Sequence, residues 1–351
     1  MPKIGISRLL RLGGAVIREI INHSYSSLIS LTNLFQAWEE FKSGKRSRAD
    51  VQFFERHLED NLFSLHHQLK NKNYKHGAYS EFFVNDPKRR HIHKAQVNDR
   101  IVHHLLYKYL YSLFDKSFIY DSYSCRVDKG THRSVRRLEK YLRIVSRNYT
   151  RNCWTLKLDI KQFFASVDHD ILMELIRKRV KDKDTLSLID EIITSFRVNE
   201  DQATGIPLGN LTSQIFANIY LNEMDQFIKH NLKIKYYIRY ADDFIILETE
   251  KLKLKPSLIS IGRFLQNNLN LRLHPKKIIL TKLTRGIDFC GYIVLPHFIL
   301  PRTKTKRRIL NKVSREQTSY ESLQSYLGYF CHAKSYRIVE DLKNRFFLKE
   351  E

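Results

Sequence analysis

Two adjacent carboxylates in the run Tyr236-Tyr237-Ile238-Arg239-Tyr240-Ala241-Asp242-Asp243-Phe244-Ile245-Ile246-Leu247 constrain this chain more than any other feature. The aromatic and β-branched residues on either side have the composition of two short strands, which places Tyr240 to Asp243 at the tip of a β-hairpin. Neighbouring acidic side chains repel and are costly to desolvate. A chain that sets them beside Phe and Ile therefore provides for a cation, and Mg2+ is the expected one. A lone Asp-Asp pair is most often a polar turn. A further Asp on a neighbouring strand would separate the two readings.

The chain has 351 residues, enough for two or three compact units with a real core. Lys and Arg number 61 against 37 Asp and Glu, a net charge of +24 that runs from end to end and makes a polyanion the natural partner. Nineteen Tyr and twenty-one Phe point to a folded protein with stacking surfaces and away from a disordered basic arm. The four cysteines, Cys125, Cys153, Cys290 and Cys331, are widely spaced without a CxxC pattern, so neither a zinc site nor a disulfide framework is expected from them. Arg8, Arg11 and Arg18 break the N-terminal apolar stretch, and no run is long enough to cross a bilayer. A cytosolic protein is expected.

Along the chain, Leu9, Leu12, Val16 and Ile20 fall at helical spacing within a helical extension over residues 1–48. A capping box from Ser47 to Asp50 predicts one helix through Val51, Phe54, Leu58, Leu62, Leu65 and Leu69. Tyr79 to Val84 reads as a strand that Asp86-Pro87 turns into Lys88-Arg89-Arg90-His91-Ile92. Lys88 and Arg90 are two cations that could hold a triphosphate; on spacing alone a solvated charged turn fits equally well. A helix follows with Val97, Ile101, Leu105 and Leu113 buried, and its His103 and His104 read as structural. After a polar loop from Asp121 to Gly130, Val135, Leu138, Leu142 and Val145 mark a helix. Its Arg133, Arg136, Arg137 and Arg143 give an outer face suited to a phosphate backbone.

In Trp154 to Asp168, Leu156, Leu158 and Ile160 alternate with polar residues, so Asp159 ends a strand that can lie beside the Asp242-Asp243 hairpin. This supplies the third carboxylate. Asp168 reads as a helix cap. A helix through Ile189, Ile192, Ile193 and Phe196 leads to Thr204-Gly205-Ile206-Pro207-Leu208-Gly209-Asn210-Leu211-Thr212-Ser213-Gln214. Gly205, Pro207 and Gly209 keep side chains away from a tight bend that a base pair could approach, with Thr212 or Ser213 capping the helix of Phe216, Ile219 and Phe227. Then come a helix through Leu258, Ile261, Phe264, Leu265 and Leu269, and strands at Leu271 to Leu273, Ile278 to Leu280 and Ile287 to Leu295. Lys276 and Lys277 lie between the first two strands. Past Pro301 a small, very basic helical unit begins with Lys304, Lys306, Arg307, Arg308 and Lys312.

Basic segment, Asp strand, Gly-Pro loop, double-Asp hairpin, Lys-bearing turn and Phe289-Cys290-Gly291-Tyr292 follow one another in the order of reverse transcriptase motifs. The chain resembles that family over roughly residues 75–300. The resemblance implies an α+β right-hand polymerase fold: fingers over 49–150, an antiparallel-sheet palm over 151–300 with a fingers insertion around 170–203, and a short helical thumb over 301–351. It implies RNA-directed DNA synthesis with two Mg2+ ions, Mn2+ being able to substitute, on template RNA, primer, cDNA and dNTPs. By position, Asp159 and Asp242 resemble the metal ligands, with Ile160 beside them and Asp243 as the less directly engaged carboxylate. Lys277 matches the palm lysine near the leaving group. Lys88, Arg90, Leu208, Gly209 and Gln214 match the nucleotide pocket, Phe164 the steric gate against a ribose 2′-hydroxyl, and Phe289 to Tyr292 the primer grip. Cys290 stands where Leu is more usual and is expected to pack as core.

Within the family the chain is most similar to enzymes of bacterial diversity-generating retroelements. Leu208-Gly209-Asn210-Leu211-Thr212-Ser213-Gln214 resembles their loop, whereas most other members have Gln in place of Leu208 and Pro in place of Gln214. Ser325-Tyr326-Leu327-Gly328-Tyr329 looks like their short thumb. This implies error-prone cDNA synthesis, with errors opposite template adenines, and a small basic oligomeric accessory protein. The alternatives are a group II intron maturase, for which about fifty residues after Pro301 leave little room, an antiviral or orphan reverse transcriptase, and an RNA-binding module without catalysis.

Overall fold

The residues that alternate between apolar and polar up to Asp159 form the inner part of a four-stranded antiparallel sheet. The computed structural model describes residues 10–12, 15–17, 24–85, 88–199, 201–315 and 318–347. Strands β1 (Leu10–Leu12) and β2 (Ala15–Ile17) pair antiparallel, which corrects the helix expected there. A helix would have had to carry the consecutive glycines 13 and 14, each costing about 1 kcal/mol relative to Ala. Leu9, Ile20, Arg8 and Arg18 lie outside the described residues.

Helices α1 (Tyr25–Leu28) and α2 (Leu31–Lys42) are capped by Ser24 and Ser30. The single helix expected from residue 49 to residue 69 is instead two, α3 (Ala49–Arg56) and α4 (Leu58–Lys70), broken at His57 with φ −122° and ψ 40°. The Phe54 carbonyl at the break accepts from the His57 backbone amide and from the Asn61 side-chain amide. No capping box forms: Arg48 occupies the cap position without a side-chain bond, and Asp50 binds Lys94 and Arg100. Strands β3 (Ser80–Val84) and β4 (Arg90–Lys94) make a two-stranded hairpin, and the turn expected at Asp86-Pro87 lies outside the described residues. Helix α5 (Val97–Phe114) then runs through the largest core.

Helix α6 (Thr131–Val145) precedes β5 (Trp154–Asp159). Arg137 does not join the basic outer face of α6, because it binds Asp121 and the Tyr141 hydroxyl. The short α7 (Phe163–Ser166) leads to α8 (His169–Arg177), whose N-terminal amides at residues 170 and 171 donate to Asp168, the expected cap. Helix α9 (Lys183–Thr194) and α10 (Leu211–Gln226) follow. Asn210, not Thr212 or Ser213, stands at the cap of α10. Thr212 is bound to His103, and Ser213 donates to the Pro207 carbonyl.

Strands β6 (Tyr237–Tyr240) and β7 (Asp243–Glu248) form the expected hairpin, and α11 (Lys251–Leu269) leads to β8 (Ile279–Lys282). The sheet order is β6-β7-β5-β8. Leu271 to Leu273 contributes only a bridge between Leu273 and Ile160. Strand alternation gives the sheet two apolar faces. Leu156, Leu158, Tyr237, Phe244 and Ile246 face the helical core of α2, α5 and α10, whereas Ile238, Ile245 and Leu247 pack with α6.

That second core also holds β9 (Ile287–Phe289), β10 (Tyr292–Leu295) and β11 (Phe298–Pro301), a separate antiparallel sheet. The single strand expected over Ile287 to Leu295 is folded back at Cys290 and Gly291, both at positive φ (48° and 89°), the signature of a two-residue hairpin turn. Helices α12 (Thr303–Arg315), α13 (Tyr320–Phe330) and α14 (Tyr336–Phe347) close a small core of their own around Ile309, Val313, Leu323, Phe330 and Leu342. No helix among the described residues is long and apolar enough to cross a membrane.

Candidate active site

The register of β5 against β7 pairs Asp159 directly with Asp243, and Asp242 occupies the turn between β6 and β7 beside Ala241, whose φ is +54°. The Ile160 amide donates to the Asp242 carbonyl at 3.3 Å, tying the end of β5 to that turn. The His274 amide donates to the Asp159 carbonyl at 2.8 Å and fixes the short turn bearing Lys277, whose Nζ donates to Asp159 Oδ1 at 2.7 Å. Two residues before Asp159, on the same face of the strand, Lys157 Nζ stands 3.0 Å from Asp243 Oδ2 and donates to the Asp288 carbonyl at 2.9 Å. The three carboxylates are thus gathered at one end of the sheet.

Burial, followed by the charge of Asp159, pushes the Asp242 carboxyl above its ordinary range, against the opposing cations Lys277 and Arg90. Asp243 is pushed up to about 6, chiefly by burial, although Lys157 pulls the other way. Its Oδ1 is buried without a hydrogen-bond partner. Burial thus disfavours the charged form of two of the acids, and one carboxylate oxygen is left without a donor by the lysines beside it. All-oxygen donors of this kind fit a hard divalent cation such as Mg2+.

Behind the turn lies a feature that the sequence reading missed. Arg239, fully buried, makes a two-pronged pair with fully buried Asp225 at 2.8 and 2.6 Å, and Tyr237 donates to the same carboxylate. Arg239 Nη1 also donates to the Ala241 carbonyl at 3.1 Å, so the carboxylate turn is braced from within. The outer edge of β6 is covered in turn: the Arg239 amide donates to Asp121 and its carbonyl accepts from Tyr123.

A family model for reverse transcriptase (RNA-dependent DNA polymerase) matches residues 75–294, which include all three carboxylates. The chain belongs to the reverse transcriptase family. Its relatives include Protein YkfC of Escherichia coli (strain K12), 24% identical over 56% of this chain and 60% of that protein. The group II intron-encoded protein LtrA of Lactococcus lactis subsp. cremoris is 23% identical over 65% of this chain and 48% of its own length. The chain spans less than two thirds of the length of either relative. Among solved structures it is similar to a telomerase from Candida albicans in complex with a fragment of telomeric RNA, at a TM-score of 0.48 and 11% identity, covering 80% of this chain and 61% of that one.

In this member of the family the Gly-Pro loop is zipped onto α7. Ile206 N donates to Phe164 O and Gly205 N to Val167 O, each at 2.8 Å, and half-buried Phe164 packs edge-on to Phe163. The Leu208 carbonyl accepts from His93 N at 3.1 Å, joining the loop to β4. Gly209 sits there at φ +112°, and a Cβ would lie 2.8 Å from Ile92 Cγ2. Gln214 is exposed on the first turn of α10. Arg90 is near enough to Asp242 to act on its ionisation, whereas Lys88 stands exposed on the bend before β4.

The segment Phe289 to Tyr292 is the tip of the β9–β10 hairpin, with Phe289 fully buried in the second core. Cys290 lies near Ser134, and burial pushes its thiol up to about 12, consistent with an inert packed residue. Tyr292 stacks on Tyr329 at 4.8 Å and donates to its carbonyl, while the Tyr329 hydroxyl donates to the Gly291 carbonyl. The hairpin tip is thereby fastened to α13.

Proposed function

We propose that the chain is an RNA-directed DNA polymerase. The observation that carries this reading is the junction of β5 with the β6–β7 turn, where Asp159, Asp242 and Asp243 meet, two of them held above their usual range chiefly by burial, with the exposed Arg90 within electrostatic reach. On this reading β5 to β8 are the palm within residues 151–300, α8 and α9 lie in the insertion around 170–203, residues 49–150 are the fingers, and 301–351 the thumb. Asp159 and Asp242, with the Ile160 main chain and Asp243 beside them, would hold two Mg2+ ions, Mn2+ being able to substitute. Bound metal would supply Lewis-acid activation of the primer 3′-hydroxyl and neutralisation of the triphosphate.

The chain's own groups do the positioning. Arg90 and Lys88 bind triphosphate oxygens, and Lys277 puts a positive charge beside Asp159 on the leaving-group side. The Phe164 ring blocks a 2′-hydroxyl. Gly209 lets the templated base pair approach the backbone, with Leu208 and Gln214 beside it, and Phe289 to Tyr292 hold the primer end. The surplus of +24 charges holds template and primer through their phosphates. Extension of a DNA primer on an RNA template with dNTPs tests this directly. Mg2+-dependent synthesis by the wild type and none by Asp159→Ala, with RNA binding retained, is the expected result. No extension with Mg2+ or Mn2+ would refute it.

The finer reading is an error-prone enzyme of the diversity-generating retroelement type, which copies a template-repeat RNA to diversify a variable protein gene and works with a small basic oligomeric accessory protein. Leu208 and Gln214 support it, since Leu offers neither donor nor acceptor near the incoming nucleotide. One hydrogen bond is worth about 0.5–1.5 kcal/mol net, or roughly a factor of two to ten in discrimination. Sequenced cDNA from Leu208→Gln should show fewer errors opposite adenine; equal error rates count against the role. The similarity to LtrA favours a second reading, a group II intron-type enzyme.

A further inference from the structure

The face of the β3–β4 hairpin opposite Arg90 and Ile92 carries side chains that polymerisation does not use. The register sets Glu81 opposite His93 and Phe83 opposite His91, so strand alternation brings Glu81, His91 and His93 onto one face. His91 Nε2 is 2.9 Å from one Glu81 oxygen and His93 Nε2 is 3.6 Å from the other. One donor atom from each of the three residues lies within 4.8 Å of the other two. Among the described residues this is the one group of three or more His, Cys, Asp or Glu gathered so closely.

We propose that Glu81, His91 and His93 form a second metal site, for a Zn2+-class ion with one position left to water. Two imidazoles and a carboxylate are a set that zinc accepts, and the 2.9 and 3.6 Å contacts lie on either side of the roughly 3.3 Å donor spacing of a four-coordinate zinc. Imidazole donors also separate this site from the all-oxygen site at Asp242, which suits Mg2+. The two imidazoles are held in place before any ion arrives. The His91 ring stacks on Phe83 at 4.5 Å with 12° between planes, and the His93 ring packs against Phe196 at 4.6 Å. The His93 backbone is pinned at both ends of its peptide, N–H to the Leu208 carbonyl and C=O to the Asn210 amide. An ion here would cross-link β3 to β4 one residue from Arg90 and stiffen the hairpin against the Gly209 loop.

Titration of tag-free full-length protein with Zn2+, against a chromophoric competitor and in excess Mg2+, tests the site without reference to polymerase activity. The wild type should bind one equivalent of Zn2+, and so should Asp242→Asn. His91→Gln and Glu81→Gln should bind it about tenfold more weakly or worse; both positions are exposed, so both variants should fold. With Co2+ in place of Zn2+, the wild type should show the visible absorption of a four-coordinate ion, and His91→Gln should lack it. Three results would overturn the assignment: no Zn2+ retained in excess Mg2+, equal binding by wild type and His91→Gln, or binding lost in Asp242→Asn alone.

Discussion

Strand β7 has half-buried ends and is buried everywhere between, hydrogen-bonded to β6 on one side and β5 on the other. Strand β3 is exposed at all five positions and has only β4 beside it. Both strands belong to hairpins that bring charge to the candidate site, with opposite sign and opposite solvation. The sheet holds its carboxylates desolvated and in fixed register, which raises their affinity for protons and for cations alike. The β3–β4 hairpin keeps Lys88 and Arg90 in water, where a cation is stable without a partner. One half of the site is therefore an expensive, rigid electrostatic well, and the other is a lightly built arm. The arm is tied down at the Gly209 loop, which touches Ile92 and is itself hydrogen-bonded to α7, the short helix after β5.

The largest contrast should come from one arginine in each region. Arg239→Ala leaves Asp225 buried and unpaired and removes the brace on the Ala241 carbonyl, so it should destabilise the protein by about 3–5 kcal/mol in urea unfolding. Arg90→Ala should change stability by less than about 0.5 kcal/mol while raising the KM for dNTPs severalfold. If the two variants lost similar stability, the division into well and arm would be wrong. Next in size is the tie at Gly209. Gly209→Ala would set a Cβ against Ile92 at a φ that L-residues rarely adopt, and should cost about 1–3 kcal/mol and lower polymerisation. A neutral Gly209→Ala would mean that the loop and hairpin part freely.

A smaller effect should appear on the pH axis. Because burial raises Asp243 from its usual range to about 6, the folded state binds this proton more tightly than the unfolded chain does. Stability of the metal-free protein should therefore fall as pH rises from about 4 to about 6 and then level off. Lys157→Met removes the cation that opposes this shift. The window should then extend upward, and the acid limb of activity should move toward neutral pH by about 1 unit. An unmoved limb would show that Lys157 does not govern Asp243.

Much of this contrast was legible in the sequence, because it is written in local patterns. Alternation of Leu156, Leu158 and Ile160 marks the strand that ends at Asp159, and the apolar runs around Asp242-Asp243 mark the hairpin. What remained hidden was long-range or competitive. Arg239 pairs with a residue fourteen positions away on another element, and nothing in the local run distinguishes it from a surface arginine. Lys157 reads as an ordinary polar residue on an alternating strand until β7 sets Asp243 within reach. Glu81, His91 and His93 converge only through the β3–β4 register. Two misreadings carried visible signals: the glycines at 13 and 14 weaken a helix there, and Gly291 invites the turn that splits the expected strand.

The carboxylate turn is held desolvated against its own charge, and on the proposed function that turn serves Mg2+-dependent synthesis. Asp242→Asn tests both halves in one preparation, by melting temperature in EDTA and by primer extension on RNA with Mg2+. The variant should melt at or above the wild-type temperature, since a desolvated charge has been removed, and should extend no primer. Extension at near wild-type rate, or a melting temperature several degrees lower, would contradict the account.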